Sequence, residues 1–163
     1  GPVPALADVL ALGAEGLTVM CELKATPGAP ARDARLTVAV LDAITAAGAR
    51  QWCAIHSFSP GIVARARELD PGVSAAIISG PVAGAELERL LAATLDFGAQ
   101  AISVEYHSVD RALVVAAKRR QLCVWAWTAD TPGSWNRLID AGVDGIITNV
   151  PNALRAPLER ARA

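Results

Sequence analysis

Residues 124–151 read VWAWTADTPGSWNRLIDAGVDGIITNVP, and the fold class follows from this stretch. Two short apolar runs, 122–127 and 145–148, flank a helical segment. Thr128 is the expected N-cap, and Pro132 sits in the first turn, where proline is tolerated. Trp135, Leu138 and Ile139 recur at three- and four-residue spacing, so one face of the helix is apolar. Gly142, free to take positive φ, ends it. Strand, helix and strand then form a parallel βαβ unit with a right-handed crossover. Such folds place their chemistry at the C-terminal ends of the strands, where Trp127 and Asn149 stand.

The same alternation runs through the chain. Strands are expected over 17–23, 52–58, 73–78 and 101–106. Helices are expected over 33–47, from Ser59-Pro60 to about residue 70, and over 86–95 and 110–119. A short helix carrying Leu6, Val9 and Leu10 precedes them, and a last one covers 153–163. This pattern implies a parallel sheet covered by helices, in one domain spanning 1–163. Six βα units are counted, against the eight of a complete (β/α)8 barrel in roughly 250 residues. An open doubly wound sheet satisfies the alternation equally, although no Gly-rich phosphate loop follows the first strand.

Composition narrows the function classes. Apolar residues make up 53% and charged residues 19%, which excludes a disordered chain. Fifteen basic against sixteen acidic residues leave a net charge of -1, so nothing draws a nucleic-acid backbone. No apolar run approaches the roughly 20 residues of a membrane helix, and no signal-peptide pattern opens the chain. It begins Gly1-Pro2 and not with Met, which points to processing, cloning or truncation. Cys21, Cys53 and Cys123 form an odd set without CxxC spacing. They read as buried small hydrophobes and favour a reducing, cytoplasmic compartment.

Several strand-end residues carry possible chemistry. Alternation puts Glu22 and Lys24 on one face and Cys21 and Leu23 on the other. A carboxylate and an ammonium together suit a divalent cation and a phosphate; the plainer reading is an ion pair on the rim. His56 shares a face with Phe58 and is either a proton carrier or, the preferred reading, a hydrogen-bonded structural residue. Glu105 and His107 share a face and either line a site or are solvated. Trp127 offers an apolar wall with its N–H free for a hydrogen bond, and Trp125 fills the layer beneath. Trp52 and Trp135 read as packing.

Trp127-Thr128 with Gly142-Val143-Asp144-Gly145-Ile146-Ile147-Thr148-Asn149 and Pro151 resembles the last βαβ unit of glycerophosphodiester phosphodiesterases. Glu22-Leu23-Lys24 resembles the family's Glu-x-Lys strand, and His56-Ser57-Phe58-Ser59-Pro60 its Ser-Phe strand end. Pro4-Ala5-Leu6-Ala7-Asp8-Val9-Leu10 resembles the helix before them. The resemblance implies an incomplete TIM (β/α)8-type barrel and the later two-thirds of the family domain. It implies that Glu22 ligates a metal and that Lys24, Trp127 and Phe58 bind substrate. No catalytic residue is assigned beyond His56 as a weak candidate. The family's His-Arg-Gly, Glu-x-Asp and His-Asp motifs, which supply its catalytic histidines and other metal carboxylates, are absent.

The implied cofactor is a divalent cation, Ca²⁺ or Mg²⁺, which one carboxylate is too few to hold alone. The implied substrate is a glycerophosphodiester or a related phospholipid-derived molecule, cleaved to glycerol 3-phosphate and an alcohol within lipid metabolism. The chain alone is expected to be inactive. The alternatives are a non-catalytic remnant acting as a binding module, or another phosphate-binding TIM barrel. Six strands cannot close a barrel of normal shear, so the first strand is expected to be an open edge that invites self-association.

Overall fold

A computed structural model of the chain describes Gly1 and residues 3–162. Pro2 of the opening dipeptide and Ala163 at the end of the last expected helix lie outside the described residues. Six strands form a sheet in the order β1-β2-β3-β4-β5-β6, parallel in each pair whose register is described. The fold class is an incomplete TIM-type barrel of alternating strands and helices. The chain separates into two compact units: Gly1–Ile77 with Thr94–Ala99, and the remainder. Strand β3 (Ser74–Ser79) and helix α4 (Gly84–Asp96) are divided between them.

The first unit holds α1 (Leu6–Leu10), β1 (Val19–Glu22), α2 (Pro30–Ala46), β2 (Cys53–Ser57) and α3 (Pro60–Leu69). Val19, Leu23, Ile55, Ile44 and Ile62 are buried together in its core, with Cys21 packed against them. The odd-numbered residues of β1 therefore face the helices, as alternation requires. Helix α2 starts at Pro30, three residues before the expected 33, because the fixed φ of proline suits the first helical position. The Asp33 carboxylate then accepts from the Thr26 backbone N–H at 3.0 Å and holds the preceding loop. The Trp52 indole donates to the Leu10 carbonyl at 3.1 Å and lies over Gly13. A Cβ at Gly13 would fall 1.9 Å from that ring, so no larger residue fits there.

The second unit holds β4 (Ala101–Glu105), α5 (Arg111–Lys118), β5 (Cys123–Trp127), α6 (Pro132–Ala141), β6 (Gly145–Ile146) and α7 (Pro151–Arg162). Ile102, Val104, Val124, Ala126, Leu113 and Leu138 form its core. Gly142 closes α6 with φ of 84°, as read from the sequence.

Three expectations need correction. The α6 cap is Thr131 and not Thr128. Proline at the first helical position forces its predecessor to be extended, and Thr131 (φ -124°, ψ 149°) exchanges capping bonds with Ser134. Strand β6 is two residues long, since Thr148 and Asn149 leave the sheet to bond Asp130. The cysteines are not uniformly buried: Cys53 is, Cys21 is half-buried and Cys123 is exposed. The Cys21 and Cys53 sulfurs lie 3.6 Å apart. Their hydrogen bond pulls the Cys21 thiol down to about 7 and, with burial, pushes that of Cys53 up.

Candidate functional site

In the first unit the polar face of the sheet begins with Glu22, in register with His56 of β2, which is in turn in register with Ala76 of β3. Lys24 follows β1 and lies 2.6 Å, Nζ to Oε1, from the Glu22 carboxylate. The ammonium is 79% exposed and the carboxylate 32% exposed, so the pair stands at the solvent boundary. The predicted shared face is present, and the two groups at present satisfy each other. Such an exposed pair contributes about 0–1 kcal/mol.

His56 is 7% exposed, and its Nδ1 is buried with no hydrogen-bond partner among the described residues. At this nitrogen the structure corrects the expectation of a hydrogen-bonded structural histidine. Burial holds the imidazole below its usual pKa; the Glu22 carboxylate opposes that effect and the Lys24 ammonium adds to it. Ala54, two residues back on β2, and Ala76, in register on β3, stand on the same face of the sheet. Ser57, on the other face, ties the strand ends together. Its hydroxyl donates to the Leu23 carbonyl at 2.6 Å and accepts from the Ser59 N–H at 3.0 Å. Phe58, just beyond the strand, is 54% exposed.

In the second unit Glu105 is in register with Trp127, and Ser103 with Trp125. The face opposite the helices is thus built from two tryptophans, a serine and a carboxylate. Gly145 is the one residue that admits Trp125, because a Cβ there would meet the indole at 2.9 Å. The Trp127 N–H is not available to a ligand as expected: it donates to the Ser103 carbonyl at 3.0 Å. The Ser103 hydroxyl is buried without a hydrogen-bond partner among the described residues.

Glu105 and His107 are closer partners than a shared strand face implied. After β4 the chain makes a 3-10 turn, Tyr106–Ser108, which folds His107 back onto the carboxylate. The Glu105 oxygens accept from His107 Nδ1 at 2.7 Å and from its backbone N–H at 2.9 Å. Tyr106 stacks against His107 with ring centroids 3.9 Å apart. Arg137 lies over Tyr106 and donates to the carbonyls of Tyr106 and Val109, fixing the turn.

Asn149, expected at a strand end, is engaged by a residue the sequence did not single out. Asp130 accepts from Asn149 N and Nδ2, both at 2.8 Å, and from Thr148 Oγ1 at 2.9 Å. These bonds hold the aspartate below its usual pKa of 3.8. An acidic residue three positions after Trp127, with Thr-Asn closing the next strand, was the available signal.

Neither of these groups is a complete metal centre. Among the described residues no three His, Cys, Asp or Glu side chains gather in a way that could hold a cation. A recess of about 680 Å³ is lined by residues of α3 and by Asp96, Phe97 and Gly98. Its arginines are spent on structure. Arg65 pairs with Glu68 at 2.7 Å, and Arg67 donates to the Pro71 and Val73 carbonyls. Among the described residues no helix is long and apolar enough to cross a membrane.

The glycerophosphoryl diester phosphodiesterase family model matches residues 1–153. A glycerophosphodiester phosphodiesterase of Arabidopsis thaliana is 27% identical over 163 residues, covering 98% of this chain and 48% of the relative. The crystal structure of a Silicibacter pomeroyi protein classed with the glycerophosphoryl diester phosphodiesterases superposes with TM-score 0.86 and 26% identity, covering 98% of this chain and 58% of that one. An Oleispira antarctica phosphodiesterase in complex with the product sn-glycerol 3-phosphate shares the fold, with TM-score 0.79 and 17% identity over 96% of this chain and 61% of that one. The chain spans about half the length of the curated relatives it matches.

Proposed function

Since the chain belongs to the glycerophosphoryl diester phosphodiesterase family, we propose that it serves the hydrolysis of glycerophosphodiesters to glycerol 3-phosphate and an alcohol. The observation that carries this reading is the Glu22–Lys24 pair at the C-terminal end of β1, within the span of the family match. Lys24 binds the phosphate: its ammonium is exposed, and the monoester product, a dianion near neutral pH, is a stronger partner than a single carboxylate. Phe58 of the first unit and Trp127 of the second each carry an aromatic ring that the resemblance assigns to substrate binding. His56 holds a buried nitrogen able to bond a ligand oxygen beside Glu22.

The family implies a divalent cation, and the residues present do not fit one alone. A hard cation takes about six to eight oxygens, and this chain offers Glu22, whose carboxylate is engaged by Lys24. Glu22 supplies one ligand, and the remaining donors come from outside the set that these residues gather. No step of the reaction is therefore assigned to a metal here. Acid and base are likewise unassigned, so the chain by itself binds without turning over. A non-catalytic binding module is the second reading, favoured by the absence of a three-ligand cluster among the described residues.

Calorimetric titration of sn-glycerol 3-phosphate onto the chain without metal tests the pair. Lys24→Met is expected to weaken binding at least tenfold. Glu22→Gln is expected to strengthen it, because the ammonium is then released to the phosphate. Equal affinities in all three proteins would reduce the pair to a rim ion pair.

A further inference from the structure

We propose that Cys21 and Cys53 form an oxidisable dithiol, closed to an intrachain disulfide by a hydroperoxide, and that the closed form fastens strand β1 to β2. This inference is independent of the substrate assigned above.

The register sets the pair. Val19 is partnered with Cys53 and Cys21 with Ile55, so the two cysteines are diagonal neighbours on adjacent parallel strands. Both stand on the helix-covered side of the sheet, where Cys53 belongs to the apolar core and Cys21 packs against it. Their sulfurs are 3.6 Å apart, and a disulfide needs them about 1.5 Å closer. Strand β1 ends the sheet order, so the strand that must give has no further strand beyond it in this sheet. The two thiols are also unlike: Cys21 is half-buried, whereas Cys53 is 2% exposed. A small oxidant therefore meets Cys21 first.

The hydrogen bond between the sulfurs divides their roles. It holds the Cys21 thiol at about 7 against the opposing effect of burial, so near neutral pH much of Cys21 is thiolate, the nucleophilic form. The same bond, with burial, pushes the Cys53 thiol up, and Cys53 keeps its proton. The Cys21 thiolate attacks one peroxide oxygen, the O–O bond breaks, and the hydroxide that leaves is protonated by solvent. Cys21 is then a sulfenic acid. The Cys53 sulfur next attacks the Cys21 sulfur, the S–O bond breaks, and the departing hydroxide takes the Cys53 proton as water. Two electrons have passed from the sulfurs to the peroxide, and two waters are released.

The cross-link lies one residue from Glu22 and its register partner His56. The cysteines are 32 positions apart, so the chain from β1 through α2 to β2 becomes a closed loop. A closed loop has less freedom to gain when β1 leaves the sheet, and the strand that carries Glu22 opens less often.

The test uses the full 163-residue chain carrying Cys123→Ser, reduced and then treated near neutral pH with a small excess of hydrogen peroxide. Both remaining thiols are expected to disappear together, with the loss of two hydrogens by mass. A protease digest of the monomer should contain one peptide pair joining residues 21 and 53, and dithiothreitol should restore both thiols. Amide exchange over residues 19–22 is expected to be about tenfold slower in the oxidised chain than in the reduced one. Cys53→Ser keeps a donor beside Cys21 and removes the second sulfur; there oxidation should stop at a sulfenic acid on Cys21, captured by dimedone. Should that variant not fold, the mass and digest of the intact pair decide alone. Thiols that survive a peroxide dose sufficient to oxidise free N-acetylcysteine, a disulfide found only between chains, or equal exchange in the two redox forms would overturn the proposal.

Discussion

The two units end their strands in opposite chemical states. In the first, Glu22 and Lys24 neutralise each other at the solvent boundary, while His56, in register with Glu22, keeps a buried nitrogen without a partner among the described residues. In the second, Trp127, Glu105, His107 and Asn149 are each tied to another part of the protein by a specific bond. The first arrangement is suited to exchange: a weak exposed pair opens at little cost when a phosphate or a cation offers more. The second is suited to shape, because its groups are already oriented and present one kind of surface. The chain thus divides exchangeable strand-end groups from committed ones between its two units.

The largest effect that tests this division is catalytic. The chain should hydrolyse glycerophosphocholine no faster than background with Mg²⁺ or Ca²⁺ added. Neither unit offers an assigned acid–base pair, and losing a single proton-transfer group already costs about 10²–10⁴-fold. Turnover that vanishes in both His56→Ala and Glu22→Ala would break the comparison, since the first unit would then be a reaction centre and not a charge holder.

Stability should divide along the same line. Trp135 is 2% exposed and its N–H donates to the Ala129 carbonyl at 2.6 Å. Trp135→Ala is expected to cost about 3–5 kcal/mol in urea denaturation. Trp52 of the first unit is half-buried and should cost less when truncated. A larger loss for Trp52→Ala would reverse the picture of a rigid second unit.

Association sharpens the comparison further. Strand β1 ends the sheet order, and Met20 and Leu17 beside it are exposed. Sedimentation of this chain should show self-association that weakens on Met20→Lys, as a charge on an edge strand discourages pairing. A monodisperse monomer with slow amide exchange over residues 17–23 would instead mean that β1 is already protected.

The smallest expected effect concerns Asp130. Its pKa is lowered in the folded chain, so the stability it contributes is fully present above the unfolded value of 3.8 and is lost as pH falls through the lower folded value. Asp130→Asn should lower Tm at pH 7, and the gap from the parent should close in strongly acidic solution. A gap that persists unchanged at low pH would show that the carboxylate's charge is not what holds Thr148 and Asn149.

Much of the fold was legible because it rests on local rules. The apolar spacing of Trp135 and Leu138 and the positive φ at Gly142 come from single-helix geometry, and the structure keeps them. The errors arose where one local rule was misapplied or a distant group intervened. Thr131, not Thr128, caps α6 because the residue before a proline must be extended, a rule readable in the sequence itself. The early end of β6 was not readable, because Asp130 is 18 residues from Thr148 and takes its hydroxyl from the sheet. Among the site residues, alternation correctly paired Glu22 with Lys24. It could not tell that the Trp127 N–H is spent on Ser103, 24 residues earlier.

The amino-acid sequence by itself determined the alternation of strands and helices, the family and the shared face of Glu22 and Lys24. Periodicity, capping and motif are properties of neighbours along a chain. Only the tertiary structure decided which polar groups are already satisfied: the Lys24 ammonium by Glu22, the Trp127 indole by a carbonyl, His107 by Glu105, and His56 Nδ1 by nothing among the described residues. The physical reason is range. A side chain's direction follows from its own backbone, whereas its hydrogen-bond partner depends on register between strands and on turns that bring distant residues within 3 Å.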